Sequence, residues 1–494
     1  MKRKRKATLA EPTIAEWEEK SLERFRPLLS DEEYQQLVQE MQSPLVPTFR
    51  YNPLKTTREV TLGLGKRYHW ALEPISFCPT GLRVIKGENS TSVSQTLEHK
   101  MGHYYIQEAA SMLPVELFEM GDETSELCLD LAASPGGKTT HLVARGGDHS
   151  LVFANDSSAG RIQALRIVLQ NWGAVNTAIT QFPGEKFGSW FPNTFDRVLI
   201  DAPCSMQGLR TAESHDVRPV TEKEISSLSR RQVNLLTSAL QAVKPGGEVV
   251  YSTCTLVPDE DEAVIDAVLQ RFGSKIEVLQ TGIPAPGVLK DKDRQFDPEV
   301  AKTIRLWPNR FHTAGFFACL LRKKDDLGLA SASAPSRPLE RTGFSPLLTK
   351  EERALEGRLL DTYQFDLATV LERYRLVLVG YGPKVFAFPE RLLDDFASLP
   401  VQSAGLLTGE ETADGFVPAH EWVSRFFSGF VSNRAIVDED QVDAWLRGEN
   451  LSRTLSHAEG TYRIKIMVDP EGRFLGRGKS TDAWIKNLLP HRLV

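Results

Sequence analysis

Two cysteines close two apolar runs in this chain. Cys204 ends Asp201-Ala202-Pro203-Cys204 after Arg197-Val198-Leu199-Ile200, and Cys254 ends Ser252-Thr253-Cys254 after Glu248-Val249-Val250-Tyr251. A thiol just past a strand end is placed to act as a nucleophile, whereas a cysteine within an apolar run is usually inert filler. Cys78, Cys128 and Cys319 read as filler. The five cysteines are an odd number without a Cys-x-x-Cys pair, so neither a disulfide framework nor a metal site is expected. Asp156 and Asp201 also fall just past strand-like runs, and this shared position says more than any one residue.

The element that positions them is Leu127 to Thr140, LCLDLAASPGGKTT. Its apolar start reads as a strand buried on both faces of a parallel sheet, and Ala132 to Gly137 as a tight turn into a helix opened by Lys138. A phosphate-binding loop needs glycine where Ala132 stands, and a dinucleotide fold needs Gly-x-Gly-x-x-Gly, which is absent. A nucleoside site for the methyl donor S-adenosylmethionine (SAM) is the better reading, with a purely structural turn as its competitor. Asp156, in VFANDSS, stands where a carboxylate hydrogen-bonds ribose hydroxyls, or where a helix is capped.

Around this turn the sequence alternates: a helix from Lys138, a strand 150–155, a helix 160–172, strands 177–180 and 197–200, a helix through 230–243 and a strand 248–251. Such alternation predicts a parallel sheet with ligands at its carboxyl end. Residues 102–117 read as a helix leading into it. The 494 residues predict about three domains: an N-terminal α/β subdomain over 1–100, a Rossmann-like domain over 101–324, a Ser/Ala/Pro-rich linker over 325–343, and a second folded unit over 344–494 with strands 376–379, 385–388 and 462–468 and helices near 442–446 and 484–488. With 41% hydrophobic and 25% charged residues and no long apolar run, a soluble cytoplasmic monomer without membrane contact is expected. The net charge of −6 does not exclude nucleic acid, because binding needs only a local basic face. Candidates for such a face are Lys2 to Lys6, then Arg50, Lys55, Lys66 and Arg67 among Phe49, Tyr51, Tyr68 and Trp70. Arg210 and Arg218 in the polar loop 205–219 and the basic stretch from Arg473 to Arg492 complete the set. Each has a competing reading as solvated or core-covering charge.

DLAASPGGKT, NDSSAGR, FDRVLIDAPCS and KPGGEVVYSTCTL, in this order, resemble the RNA (cytosine-5) methyltransferases of the Nol/Nop/Sun family over roughly 102–322. The resemblance implies SAM bound by Ala133, Ser134, Pro135, Gly136, Gly137, Lys138, Asp156, Arg161 and Asp201. It also implies chemistry by four residues: Cys254 adding to cytosine C6, Asp201 serving N3, Cys204 needed for release, and Lys138 favouring the thiolate. The C-terminal end resembles PUA-like RNA-binding domains of bacterial ribosomal RNA enzymes. Ribosomal RNA or a ribosomal subunit is the expected partner, with transfer RNA as the alternative substrate and a non-catalytic assembly factor as the alternative function. Two departures stand out: Pro183 where the family has an acidic residue near the adenine, and Met206 where it often has glycine.

Overall fold

The computed structural model describes residues 21–121, 123–208, 220–338, 341–413, 415–452, 463–481 and 483–493, and all counts refer to these. Lys2 to Lys6, Arg210 and Arg218 lie outside them. Helix Asp31–Met41 is started by a capping box in which Ser30 and Glu33 satisfy each other's backbone amides.

Strands β1 (Thr48–Tyr51), β2 (Trp70–Ile75), β3 (Cys78–Lys86) and β4 (Tyr104–Ile106) form an antiparallel N-terminal sheet in the order β2-β3-β1-β4. The helix expected over 102–117 is therefore replaced at its start by β4, followed by a 3₁₀ turn and the short helix Leu113–Glu116. Tyr104-Tyr105-Ile106 suits a pleated, half-buried position, and pairing with β1 at Phe49, Arg50 and Tyr51 decides the matter. Tyr104 stacks on Phe49 with ring centroids 4.4 Å apart.

The catalytic sheet begins with β5 (Leu127–Asp130), β6 (Leu151–Asn155), β7 (Thr177–Thr180), β8 (Phe195–Asp201) and β9 (Val243–Thr253), all parallel. It is completed by β10 (Ile276–Val278) and by β13 (Ile304–Leu306) and β14 (Phe316–Lys323), which follow a small hairpin of β11 (Lys290–Asp291) and β12 (Arg294–Gln295). Strand order is β10-β14-β9-β8-β5-β6-β7, with β14 antiparallel to β9 and β13 paired to β14. The chain runs outward from β5 through β6 to β7 and returns on the other side at β8. The crevice at the carboxyl ends of β5 and β8 is thus the topological switch point of a Rossmann-like α/β sheet. Helices Gly137–Arg145, Ala159–Trp172, Glu222–Ala242 and Glu262–Phe272 cover it.

The C-terminal part holds two five-stranded sheets. One runs β15 (Ser345–Pro346), β16 (Leu376–Tyr381), β17 (Lys384–Pro389), β19 (Leu406–Thr412), β20 (Gly415–Pro418), while the intervening β18 (Ser403–Ala404) instead extends the catalytic sheet along β7. The other comprises β21 (Arg434–Ile436), β22 (Leu451–Ser452), β23 (Ile464–Val468), β24 (Phe474–Ser480) and β25 (Trp484–Asn487), in the order β21-β23-β24-β25-β22. The helix expected at 484–488 is β25, because exposed Trp484, buried Ile485 and exposed Lys486 alternate with the period of a strand.

Residues 325–343 carry no α-helix or β-strand among those described, yet they are strapped down rather than loose. Leu327 is buried, Ala332 N donates to Ser189 O (2.7 Å), Gln241 Nε2 donates to Ala330 O (2.9 Å), and Arg337 N donates to Ser398 O (2.7 Å). Phe396 meets Phe153 of β6 edge-on at 4.9 Å, so one apolar core runs from the catalytic sheet into the C-terminal part. No helix among the described residues is long and apolar enough to cross a membrane.

Candidate active site

Parallel pairing in register places Asp201, the last residue of β8, beside Ser252 of β9. Three residues beyond the one and two beyond the other, the Sγ atoms of Cys204 and Cys254 come within 3.3 Å. The Cys204 thiol is pushed well above its usual range by its hydrogen bond to Cys254, then by burial, then by the negative charges of Cys254 and Glu260. Cys204 is therefore held as the protonated thiol.

Lys138 reaches over from the first turn of helix Gly137–Arg145, its Nζ donating to Asp201 Oδ2 at 2.7 Å, while Ser252 Oγ donates to Asp201 Oδ1 at 3.0 Å. Burial opposes the ammonium, but Asp201, Cys254 and Asp130 more than offset it and the Lys138 pKa rises. Asp130 accepts from Thr139 Oγ1 (2.7 Å) and Ala132 N (3.4 Å), and burial pushes its carboxyl up to about 7.

The turn between these groups is held from β6. Ala133 N donates to Asn155 O (2.8 Å) and Ser134 N to Asp156 Oδ2 (3.3 Å), and Arg161 returns to Ser134 O and lies 3.5 Å from Asp156 Oδ2. Asp156 Oδ1 also accepts from Ser158 N (2.9 Å), so this carboxylate organises the helix start as well as the turn. Pro135 lies exposed at the tip. Gly136 has φ 118° and faces helix Ala159–Trp172, where a Cβ would come within 2.9 Å of Val168. Its smallness serves helix packing, beyond the ligand approach expected of it.

These groups fit a SAM-type nucleoside. The helix opened by Gly136 has no side-chain cap, leaving amides that suit a carboxylate. Asp130 and Asp201 suit a cation, and Asp156, with about four acceptor sites and two amides engaged, retains capacity for hydroxyls.

Three residues that matter here were not read as such from sequence. Arg50, fully buried, donates through Nη2 to Gly137 O (3.0 Å) and Thr140 Oγ1 (2.8 Å) and stacks 4.7 Å above Trp172. Asn155 donates to Leu131 O (3.2 Å) and Phe182 O (2.9 Å), tying the loop that carries Pro183 to the cofactor turn. Glu260 holds Ser205, next to Cys204. Of the three, only Asn155 carries a sequence signal, a polar residue closing an apolar strand. Met206 takes φ 60°, a backbone glycine adopts freely, so the loop keeps the glycine shape with another side chain.

Most basic candidates for RNA contact are spent inside the molecule. Besides Arg50, the half-buried Lys55 donates to three acceptors, Met101 O, Asn171 O and Ser424 Oγ. Arg67 pairs with Glu98 and Glu471, Arg473 with Asp469 and Glu98, and Arg492 with Glu421. Arg477 donates to Pro418 O and Leu488 O. At these positions intramolecular carboxylates and carbonyls take the charge that the pattern offered to RNA. Lys66, Lys486 and His491 are exposed. Cys78, Glu116 and His141 gather metal-type atoms within 4.8 Å of one another behind the cofactor helix. Burial pushes the Cys78 thiol up to about 12 and the His141 imidazole down to about 4, so a neutral thiol and imidazole share the Glu116 carboxylate.

Residues 118–322 match the family described as 16S rRNA methyltransferase RsmB/F, and residues 18–109 match the N-terminal domain of 16S rRNA methyltransferase RsmF. A protein of Vibrio vulnificus named ribosomal RNA small subunit methyltransferase F is 29% identical over 458 residues, covering 92% of each chain. One of the same name from Aeromonas hydrophila is 31% identical over 459 residues, covering 91% of each. The crystal structure of a methyltransferase homologue from Pyrococcus horikoshii superposes with a TM-score of 0.53 at 28% identity, covering 62% of this chain and 99% of that one. With the paired thiols and the uncapped cofactor helix, these likenesses establish that the chain belongs to the RsmB/F family of 16S rRNA methyltransferases, whose cofactor is S-adenosylmethionine.

Proposed function

We propose that this chain methylates C5 of a cytosine in small-subunit ribosomal RNA, acting as a cytoplasmic monomer. The observation that carries the reading is the 3.3 Å approach of Cys204 and Cys254 beside the Lys138–Asp201 ion pair. Cytosine C5 is a weak nucleophile, and a covalent bond at C6 activates it. The Cys254 thiolate forms an S–C6 bond, the C5–C6 π pair becomes C4–C5, and the C4–N3 π pair moves to N3. N3 takes a proton from the Lys138–Asp201 pair. Bound SAM would supply an electrophilic methyl, which C5 accepts with the C4–C5 π pair while the N3 pair restores C4–N3. Water then takes the C5 proton, its electron pair restores C5–C6, the C6–S pair returns to Cys254, and N3 gives its proton back. Cys204 donates its S–H to the departing sulfur.

Asp156, with Ser134, Arg161 and the turn 133–137, holds the nucleoside. The sheet β21 to β25 is the RNA-binding, PUA-like end, a role supported by the near full-length match to the rRNA enzymes. The test is SAM-dependent tritium release from small-subunit rRNA labelled at cytidine C5, with bisulfite sequencing of total RNA from cells with and without the gene. Release from transfer RNA alone, or no release from any RNA, overturns the reading.

A further inference from the structure

Cys204 is held from both sides by groups outside its own loop. Gln232, wholly buried in helix Glu222–Ala242, donates from Nε2 to Pro203 O at 2.9 Å, and Glu260 accepts from Ser205 N at 2.9 Å through Oε2. The two holders are joined, because Gln232 Nε2 also donates to the same Glu260 oxygen at 2.9 Å. Tyr251, on the strand that ends at Cys254, donates its hydroxyl to Glu260 O at 2.6 Å. Ser205 Oγ and Thr255 Oγ1, 3.2 Å apart, link the two cysteine loops directly. Glu260 Oε1 is buried without a hydrogen-bond partner among the described residues, so its charge is only partly quenched beside the loop. Gln232 Oε1 is likewise without a partner among the described residues, and a buried polar network left partly unsatisfied is costly unless it fixes something.

We infer that Glu260 and Gln232 are positioning residues for Cys204, holding its S–H on the Cys254 sulfur so that this sulfur departs readily from the methylated base. The inference rests on the assignment of Cys254 as nucleophile and Cys204 as the release cysteine. In release the C6–S electron pair leaves on Cys254 while the C5 proton passes to water. A donor held at 3.3 Å stabilises the thiolate as it forms, and a donor displaced by about 1 Å loses much of that effect. Addition to C6 needs no donor from Cys204. Loosening the clamp therefore slows release and leaves SAM binding alone.

The experiment compares the full-length wild type with Cys204→Ala, Glu260→Ala, Glu260→Gln and Gln232→Met, the last keeping volume without the amide. Each is incubated with SAM and C5-tritiated small-subunit rRNA and followed by tritium release, by protein–RNA adduct on a denaturing gel, by SAM affinity and by melting temperature. Glu260→Ala and Gln232→Met are expected to slow tritium release by about tenfold or more and to accumulate adduct with SAM affinity unchanged. Glu260→Gln, which still accepts from Ser205 N, restores most of the release. If Cys204→Ala accumulates adduct and neither clamp variant does, the inference falls while the site assignment stands. Absence of adduct in Cys204→Ala overturns the assignment itself. Activity lost only in proportion to melting temperature overturns the clamp, and should Glu260→Ala not fold, Gln232→Met and Glu260→Gln decide the matter by the same readouts.

Discussion

Lys138 Nζ and Asp201 Oδ2 stand 2.7 Å apart, joining the first turn of the cofactor helix to the end of the neighbouring strand β8. The pair lies across the switch point of the sheet, so one contact registers the cofactor turn against the substrate side.

In the proposed mechanism, breaking this pair removes a proton source as well as a charge. Lys138→Met and Asp201→Asn are each expected to lower kcat by about 10² to 10⁴ with a smaller change in the KM for SAM. Steady-state tritium release measures this, and equal losses in kcat and SAM affinity would reduce the pair to a structural strut.

In the proposed mechanism the two thiols are not interchangeable, because one adds to C6 and the other serves release. Cys254→Ala is expected to abolish methyl transfer and form no adduct, whereas Cys204→Ala traps a covalent protein–RNA species. Adduct with Cys254→Ala would reverse the assignment.

Asp156→Ala removes acceptors from Ser134 N and Ser158 N together with the site offered to ribose hydroxyls. SAM affinity is expected to fall by about 1.5 to 3 kcal/mol in calorimetry. An unchanged affinity with a lowered melting temperature would leave it as a turn-former alone.

Arg50→Met leaves Gly137 O without its Arg50 donor at the cofactor helix. Unpairing a buried polar network costs about 2 to 4 kcal/mol, so both chemical stability and SAM affinity should drop. Normal SAM binding in this variant would show that the turn holds without the N-terminal subdomain.

Acid should destabilise the protein from mild pH. Burial pushes His141 down to about 4 and His420 down to about 3, whereas in the unfolded chain both titrate near the ordinary value of 6.5. Below 6.5 the unfolded state therefore binds protons that the folded state refuses. Stability falls as pH drops from about 6.5 toward 4, by up to about 1.4 kcal/mol per pH unit for each histidine. Urea denaturation at pH 7 and pH 5 measures it. A flat profile, or one unaltered in His141→Gln, would count against these groups.

The motif residues were legible because their chemistry is tied to local punctuation. Asp201, Cys204 and Cys254 follow apolar runs that can only be strands of a covered sheet, and parallel register then forces them together. Long-range polar partners were not legible. Nothing local distinguishes Arg50, which looks like a surface cation beside aromatics and in fact meets Gly137 O 87 positions away. Glu260 hides within the acidic run Asp259 to Glu262, which reads as solvated charge. Arg473 and Arg492 pair with carboxylates and Arg477 with carbonyls, partners that the basic pattern of the tail alone does not reveal. The period-two signal at Trp484 to Lys486 was too short to outweigh helical propensity.

Lys55 bears on how this enzyme is made. Its ammonium donates to Met101 O, Asn171 O and, 369 positions later, Ser424 Oγ. On a ribosome delivering about 5 to 20 residues per second, the third acceptor emerges tens of seconds after the lysine. During that interval the nascent N-terminal and catalytic segments carry a cation whose burial is incomplete and an edge strand, β7, that still lacks β18. Such unpaired edges invite association between nascent chains. Chaperone demand during synthesis should fall most heavily before residue 424 has cleared the exit tunnel.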